Sequence, residues 1–147
     1  NLLGIERKLP VLRRAASKIH RAGLRYIVLL NAELRYLAEN YFPEHFVRAV
    51  HIYYPDPWPK KRHARRRLIQ AGAPEFFHRL LVSGGCVHLR TDSDAYFQQM
   101  TEHFAATSLF RRTETPPELL RYTTRFERRF QDQSLPLYRV TYCATTP

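Results

Sequence analysis

The chain has 147 residues and a formal net charge of +11, from 24 Lys and Arg against 13 Asp and Glu. That length suits one domain, and ordinary shares of hydrophobic (44%) and charged (25%) residues argue against disorder as a global description. The longest unbroken apolar run, Tyr26 to Leu30, is far short of the ~20 residues a membrane span needs, so the cation surplus points to nucleic acid rather than to a membrane.

Leu2 to Glu6 is a short apolar run ending in a carboxylate. Pro10 opens a predicted helix through about Ala22, with Pro in the favoured first turn and Gly23 as its stop. Arg25 to Leu30 reads as a buried strand, residues 32–41 as a helix, and Val47 to Tyr53 as a strand. Pro55-Asp-Pro-Trp-Pro59 follows, which no helix or central strand accepts. An Arg-rich helix start leads to an amphipathic helix over 74–81, closed by Ser83-Gly84-Gly85. Cys86 to Arg90 is a further strand with Thr91-Asp92 at its C-terminal end, and residues 94–107 read as a helix. Final strands are predicted at 110–114 and 137–143, separated by the basic segment Arg121 to Phe130.

This alternation predicts an α/β fold with a mainly parallel sheet and helices on both faces. In such sheets ligands sit beyond the carboxyl ends of the strands. Glu6, Asn31, Asp56 and Thr91-Asp92 all fall at such ends. Each alone reads first as a helix cap or loop residue; four converging on one edge suggest a site.

Asp56 is the sharpest candidate. Proline on both sides fixes the backbone and removes two N–H donors, so the carboxylate is held stiffly. A carboxylate beside the Trp58 surface can receive the Watson–Crick edge of a guanine, accepting from N1–H and N2–H. The run Lys60-Lys-Arg-His-Ala-Arg-Arg-Arg67 then places six Lys/Arg in eight residues. Such density suits phosphate contact and implies salt-dependent binding; a solvated helix face is the plainer alternative. Arg121, Arg125, Arg128 and Arg129 interleave with Tyr122 and Phe126, which suits phosphate grip with stacking, or simply a core Phe126 at helical spacing.

Tyr54-Pro-Asp-Pro-Trp-Pro-Lys-Lys-Arg-His63, followed by Arg65-Arg-Arg-Leu68, resembles the signature of the bacterial tRNA (guanine-N7-)-methyltransferases. Gly4-Ile5-Glu6, Thr91-Asp92 and Thr124-Arg-Phe-Glu127 resemble further blocks of that family in the same order, so the likeness spans the chain. The resemblance implies a Rossmann-like class I methyltransferase that uses S-adenosylmethionine on the variable-loop guanine at tRNA position 46. It implies that Glu6 holds the cofactor ribose, that Asn31 stands where an Asp near the adenine is usual, and that Asp56 is the catalytic, cofactor-proximal carboxylate. It also implies that Lys60, Asp92 and the block Thr124, Arg125, Phe126 and Glu127 contact the substrate. Lys61, Arg62, His63, Arg65, Arg66 and Arg67 are the expected tRNA phosphate contacts.

The departures carry expectations too. The family's first strand and Gly-rich loop precede Gly-Ile-Glu, and none of Gly4, Gly23, Gly72, Gly84 and Gly85 forms a G-x-G-x-x-G pattern. Residues 1–147 are therefore expected to be one partial, N-terminally truncated methyltransferase domain, with an unpaired edge beside its first strand. S-adenosylmethionine binding by this chain alone is expected to be weak. The sequence does not begin with Met, as in a piece of a longer protein or a chain trimmed at its front.

Cys86 and Cys143 are too few for a zinc motif or a disulfide framework, which fits a reducing, cytoplasmic setting; two buried thiols are expected. The seven histidines form no H-x-x-x-H pattern, and no metal is expected. Two other readings stay open: a non-catalytic RNA-binding relative without the cofactor loop, and an amino-methyltransferase, since Asp-Pro-Trp loosely resembles an Asp-Pro-Pro-aromatic loop. The assembly is expected to be a monomer or a homodimer.

Overall fold

A computed structural model describes residues 1–145, without the Lys61 side chain. The chain forms two compact units, the first Asn1–Pro43 and the second beginning at Glu44.

In the first unit the apolar runs become β1 (Leu2–Ile5) and β2 (Ile27–Leu30), joined by α1 (Leu9–Arg21) and followed by α2 (Leu34–Tyr41). The strands pair in parallel, from Leu2 opposite Ile27 to Ile5 opposite Leu30. Pro10 sits in the first turn of α1, where a missing N–H costs nothing. Glu33 caps α2 by accepting from the Tyr36 N–H at 2.8 Å. Packing here is thin. Ala38 is the only buried hydrophobic side chain described in this unit, and Leu2, Leu3, Tyr26 and Val28 stay exposed.

The second unit contains β3 (Val47–Tyr53), a 3-10 helix Lys61–Arg66, α3 (Ala73–Leu80), β4 (Leu81–Thr91), α4 (Asp94–Ala105), β5 (Phe110–Thr113), α5 (Pro117–Arg121), α6 (Arg125–Asp132) and β6 (Tyr138–Ala144). The sheet order is β3-β4-β6-β5. β3 and β4 are parallel, while β6 runs antiparallel to both β4 and β5. Successive residues of a strand face opposite sides. Val87, Leu89, Val140 and Tyr142 meet Phe77, Leu80, Tyr96, Met100 and Phe104 from α3 and α4, and all are buried. The opposite face carries His51, Tyr53, His88, Arg90, Arg139 and Thr141, in register across β3, β4 and β6. α5 and α6 approach that second face through Arg90.

Two expectations are corrected, and the basic segment gains a structure. β4 begins at Leu81, not Cys86. The register slips between Val47–Leu81 and Ala49–Cys86, so Ser83 and the glycines form an irregularity in the strand instead of a helix stop. Gly85 is required there, since a Cβ would lie 3.0 Å from the Arg48 carbonyl oxygen. The basic segment Arg121 to Phe130 holds the end of α5 and most of α6, and the Thr124–Glu127 capping box starts α6. Cys86 and Cys143 are opposite each other on adjoining strands and are disulfide-bonded, not two buried thiols.

Among the described residues, β1 is bonded only to β2, and β3 only to β4. No described helix is long and apolar enough to cross a membrane.

Candidate functional site

The cleft of the second unit lies where β3 and β4 end. It encloses about 470 Å³ and is lined by Tyr53, Tyr54, Pro55, Asp56, Pro57, Asp92, Thr124 and Phe126. That volume falls within the ~300–1,000 Å³ of small-molecule sites. Three segments far apart in sequence build it: the loop after β3, the turn between β4 and α4, and the cap of α6. The expected catalytic residue Asp56 meets three of the expected substrate residues here, Asp92, Thr124 and Phe126.

Each wall has its own fastening. Tyr54 (φ 53°) and Trp58 (φ 42°) both adopt left-handed backbone conformations, costly for large L-residues and concentrated at functional sites. They bracket Pro55-Asp-Pro57, so two prolines and two strained residues fix an exposed Asp56 carboxylate. On the second wall, Thr91 is fully buried and its hydroxyl accepts from the Ser93 N–H at 3.2 Å. Ser93 caps α4. Asp92 is thereby held at the strand-to-helix turn.

The third wall is anchored by a buried ion cluster that sequence reading missed. Glu127, with 0% exposure, accepts from Arg90 at 2.8 and 3.0 Å, from Arg139 at 3.0 Å and from the Thr124 N–H at 2.6 Å. Arg90 also donates to the carbonyls of Leu119 (2.6 Å) and Tyr122 (2.9 Å), and lies 4.3 Å from the Tyr53 ring centroid. Its own carbonyl accepts from the Tyr54 N–H at 2.8 Å. One side chain thus ties β3, the α5–α6 connection and α6 together, two residues before Asp92. Burial alone would raise the Glu127 carboxyl; the Thr124 N–H and the Arg90 charge hold it below the ordinary carboxylate range. The Tyr54 hydroxyl is close enough to feel this carboxylate but meets no hydrogen-bond geometry, and burial pushes its phenol well up. The signal for Arg90 was its place inside an apolar strand, at the same alternation as His88.

Glu127 is therefore corrected from a substrate contact to a buried anchor, because all its approaches are filled. Arg125 is exposed and is not part of the cleft wall. Phe126 lies between Tyr54 (4.6 Å) and Phe130 (4.4 Å, interplanar 25°). Phe130 stacks on it and Tyr54 meets it at a tilt of 41°, while the ring stays 39% exposed as part of the cleft lining.

The basic run divides in two. Arg62, Arg65 and Arg66 are exposed and His63 half-exposed. Trp58 serves as their base, with Arg66 5.1 Å above its ring and His63 edge-on at 5.8 Å, and is not a cleft wall. Lys60 is exposed at the start of the 3-10 helix and outside the cleft lining. The Lys61 side chain lies outside the described parts. Arg67 is corrected: it turns inward, donating to the Pro57 carbonyl at 2.7 Å and to Gln99, with its guanidinium 4.9 Å from the Tyr96 centroid. Its donors hold the Pro-Asp-Pro loop, so it does not join the exposed cationic surface.

Glu6 and Asn31 lie in the first unit, at the ends of β1 and β2. The Glu6 carboxylate accepts from the Lys8 N–H at 2.6 Å. Asn31 donates from its amide nitrogen to the carbonyls of Glu6 (2.8 Å) and Arg7 (3.0 Å). Both donors are thereby spent on backbone, leaving its carbonyl oxygen for any ligand. No group of three His, Cys, Asp or Glu able to hold a metal occurs among the described residues.

A model of the family described as "Putative methyltransferase" matches residues 1–140. The chain belongs to this methyltransferase family. Its relatives include a tRNA (guanine-N(7)-)-methyltransferase of Halorhodospira halophila, 34% identical over 86% of this chain and 57% of the relative. Another of the same name, from Xylella fastidiosa, is 33% identical over 95% of this chain and 59% of the relative. The chain thus spans just over half the length of these relatives. Among solved structures, a tRNA (m1A58) methyltransferase from Aquifex aeolicus superposes with a TM-score of 0.62 at 14% identity, over 99% of this chain and 53% of that one. A SAM-dependent O-methyltransferase from Thermotoga maritima gives 0.60, also at 14% identity, over 99% of this chain and 50% of that one. At such identities the likeness concerns the fold, which is that of the Rossmann-like methyltransferases.

Proposed function

We propose that this methyltransferase moves a methyl group from S-adenosylmethionine to N7 of a guanine in the variable loop of tRNA, at position 46. The carrying observation is the cleft that gathers Asp56, Asp92, Thr124 and Phe126 from three distant segments. The names of the relatives support guanine N7 of tRNA as the target; position 46 comes from the family resemblance of the sequence.

Guanine N7 carries an in-plane lone pair and no proton at neutral pH, so the site needs no general base. The work left to the protein is alignment and charge compensation. Asp56, held rigid and exposed to the cleft, accepts from guanine N1–H and N2–H and offsets the positive charge that grows on the ring. Asp92 and the Thr124 hydroxyl offer further polar contacts on the facing walls. Lys60, Arg62, His63, Arg65 and Arg66 grip phosphates outside the cleft. The cofactor supplies a methyl group on a sulfonium, which is electrophilic without help from a metal. Of the first unit's residues, the Glu6 carboxylate suits a ribose diol and the Asn31 carbonyl oxygen suits the adenine amine. The sequence holds no Gly-rich loop for the methionine part, so this chain alone binds the cofactor weakly. The two units are proposed to belong to one methyltransferase domain in the cytoplasm, a placement that rests on tRNA being found there and no longer on the cysteines, which are bonded.

The test is product analysis. tRNA is incubated with S-adenosylmethionine and the protein from its whole open reading frame, then digested and examined for 7-methylguanosine. Asp56→Asn is expected to lower turnover at least ~100-fold, with tRNA affinity kept within about twofold. Equal turnover in variant and parent refutes the role of Asp56; N6-methyladenine as product would refute the guanine reading. A second reading, an RNA-binding module without methyl transfer, is favoured by one observation: both Asn31 donors are tied to backbone on the cofactor side. Binding with a steep salt dependence and no methylated product would establish it.

A further inference from the structure

Residues 7–32 contain seven Lys and Arg and no Asp or Glu, whereas an even spread of the chain's 13 carboxylates would place about two there. This segment thus carries +7, far in sequence from the basic run at residues 60–67. The side chains of Arg13, Arg14, Lys18 and Arg21 are all exposed.

Helical spacing decides how they are displayed. In α1, Arg14, Lys18 and Arg21 follow at i, i+4 and i+7 and share one face, with Arg13 beside them. Leu12, Ala15 and Ile19 occupy the opposite face, are half-buried, and lie toward β2. Arg14 to Arg21 spans ~10 Å of helix at 1.5 Å per residue, enough to meet successive phosphates of a nucleic-acid strand. Ser17 sits in the same stripe, its hydroxyl spent on the Arg13 carbonyl at 3.0 Å.

Such a helix works against itself when alone. Like charges at i, i+4 destabilise it, and the first turn carries no carboxylate to complement the helix dipole. Neutralisation by a polyanion along this face relieves the like-charge repulsion. An anionic membrane surface is the competing occupant of a basic amphipathic helix, but that mode requires a free apolar face. Here that face is already directed at β2.

We propose that the exposed cationic face of α1 is a second RNA-contact surface of this protein, binding tRNA phosphates independently of residues 60–67. The proposal rests on tRNA being the substrate. It requires only electrostatic contact, without reading of sequence.

The test compares tRNA binding by the parent chain with two triple variants, Arg14→Gln/Lys18→Gln/Arg21→Gln and Arg62→Gln/Arg65→Gln/Arg66→Gln, across a salt series. All six side chains are exposed, so melting temperatures should stay within about 2 °C of the parent. The α1 variant is expected to weaken binding about 10- to 100-fold near 0.1 M salt and to flatten the salt slope by about 2 to 3. The two triples should be additive in log affinity. Unchanged affinity and slope in the α1 variant overturn the proposal, as does a parent chain that binds no tRNA. A loss of binding to phosphatidylserine vesicles with tRNA binding intact also overturns it. Binding that depends on α1, from a protein that forms no 7-methylguanosine, supports this surface while sinking the methyltransferase reading.

Discussion

The two units of this chain are built to different standards. The second has a layered core in which Val87, Tyr96, Met100 and Phe104 are each at most 1% exposed, a bonded cysteine pair and a cleft whose walls are fastened from behind. The first has one parallel strand pair, two helices and Ala38 as its only described buried hydrophobic side chain. Burial of apolar area supplies most folding free energy, so the residues proposed to meet the substrate rest on a well-packed platform and those proposed to hold the cofactor do not. Motif residues of one chemical type consequently differ in what they do: Glu127 is sealed in an ion cluster, while Glu6 lies half-exposed with one oxygen on a neighbouring N–H.

The broadest way to break this contrast is native-state hydrogen exchange. Ladder amides of β4 and β6 are expected to be protected at least ~1,000-fold more than those of β1 and β2, since local opening follows packing. Equal protection would show that the first unit is stabilised by something other than its own core. Next in size comes the pair Arg90→Met and Glu6→Gln. The first strands a buried carboxylate and should cost about 3–5 kcal/mol in urea unfolding. The second should stay within about 0.5 kcal/mol. Similar values for both would remove the distinction between anchor and ligand.

Acid should act on the second unit through His88. Burial first, then the charges of His51 and Arg90, lower its imidazole to about 4. His51, stacked on it at 4.8 Å, is lowered as well by burial and Arg90. Both are held neutral in the folded state, so their contribution is complete above the unfolded value near 6.5 and is lost as pH falls toward 4. Melting temperature is expected to decline over that window in the parent, and less in His88→Gln. The smallest effect distinguishes two neighbouring arginines. Arg62→Gln should reduce the salt slope of tRNA binding by about one without affecting stability. Arg67→Gln should leave the slope and cost about 1 kcal/mol of stability through its lost hydrogen bonds.

Much of this architecture could be read from the chain, because strand and helix periods are local. β3 falls at the predicted residues, and α1, α2 and α3 begin and end within about two. β4 was misjudged because Ser83-Gly84-Gly85 reads as a stop, whereas the close approach of the Arg48 carbonyl makes those residues part of a slipped register. The helices over 117–132 were hidden by their charge: α6 buries only Glu127, so no apolar stripe announced it. The string around Asp56 pointed to the cleft, since proline punctuation is visible in sequence. What was invisible was direction. Whether Arg67, Glu127 or Phe126 turns outward depends on partners up to tens of residues away, and neither spacing nor family likeness encodes that.

The one-sided strands have a practical consequence. β1 and β3 each leave a row of peptide N–H and C=O groups with no ladder partner among the described residues, which is a template on which another chain can extend the sheet. Concentrated preparations should therefore tend toward edge-to-edge aggregation, resisted mainly by mutual repulsion between highly cationic molecules. Raising the ionic strength, the usual remedy for sticky RNA-binding proteins, would screen that repulsion and hasten precipitation.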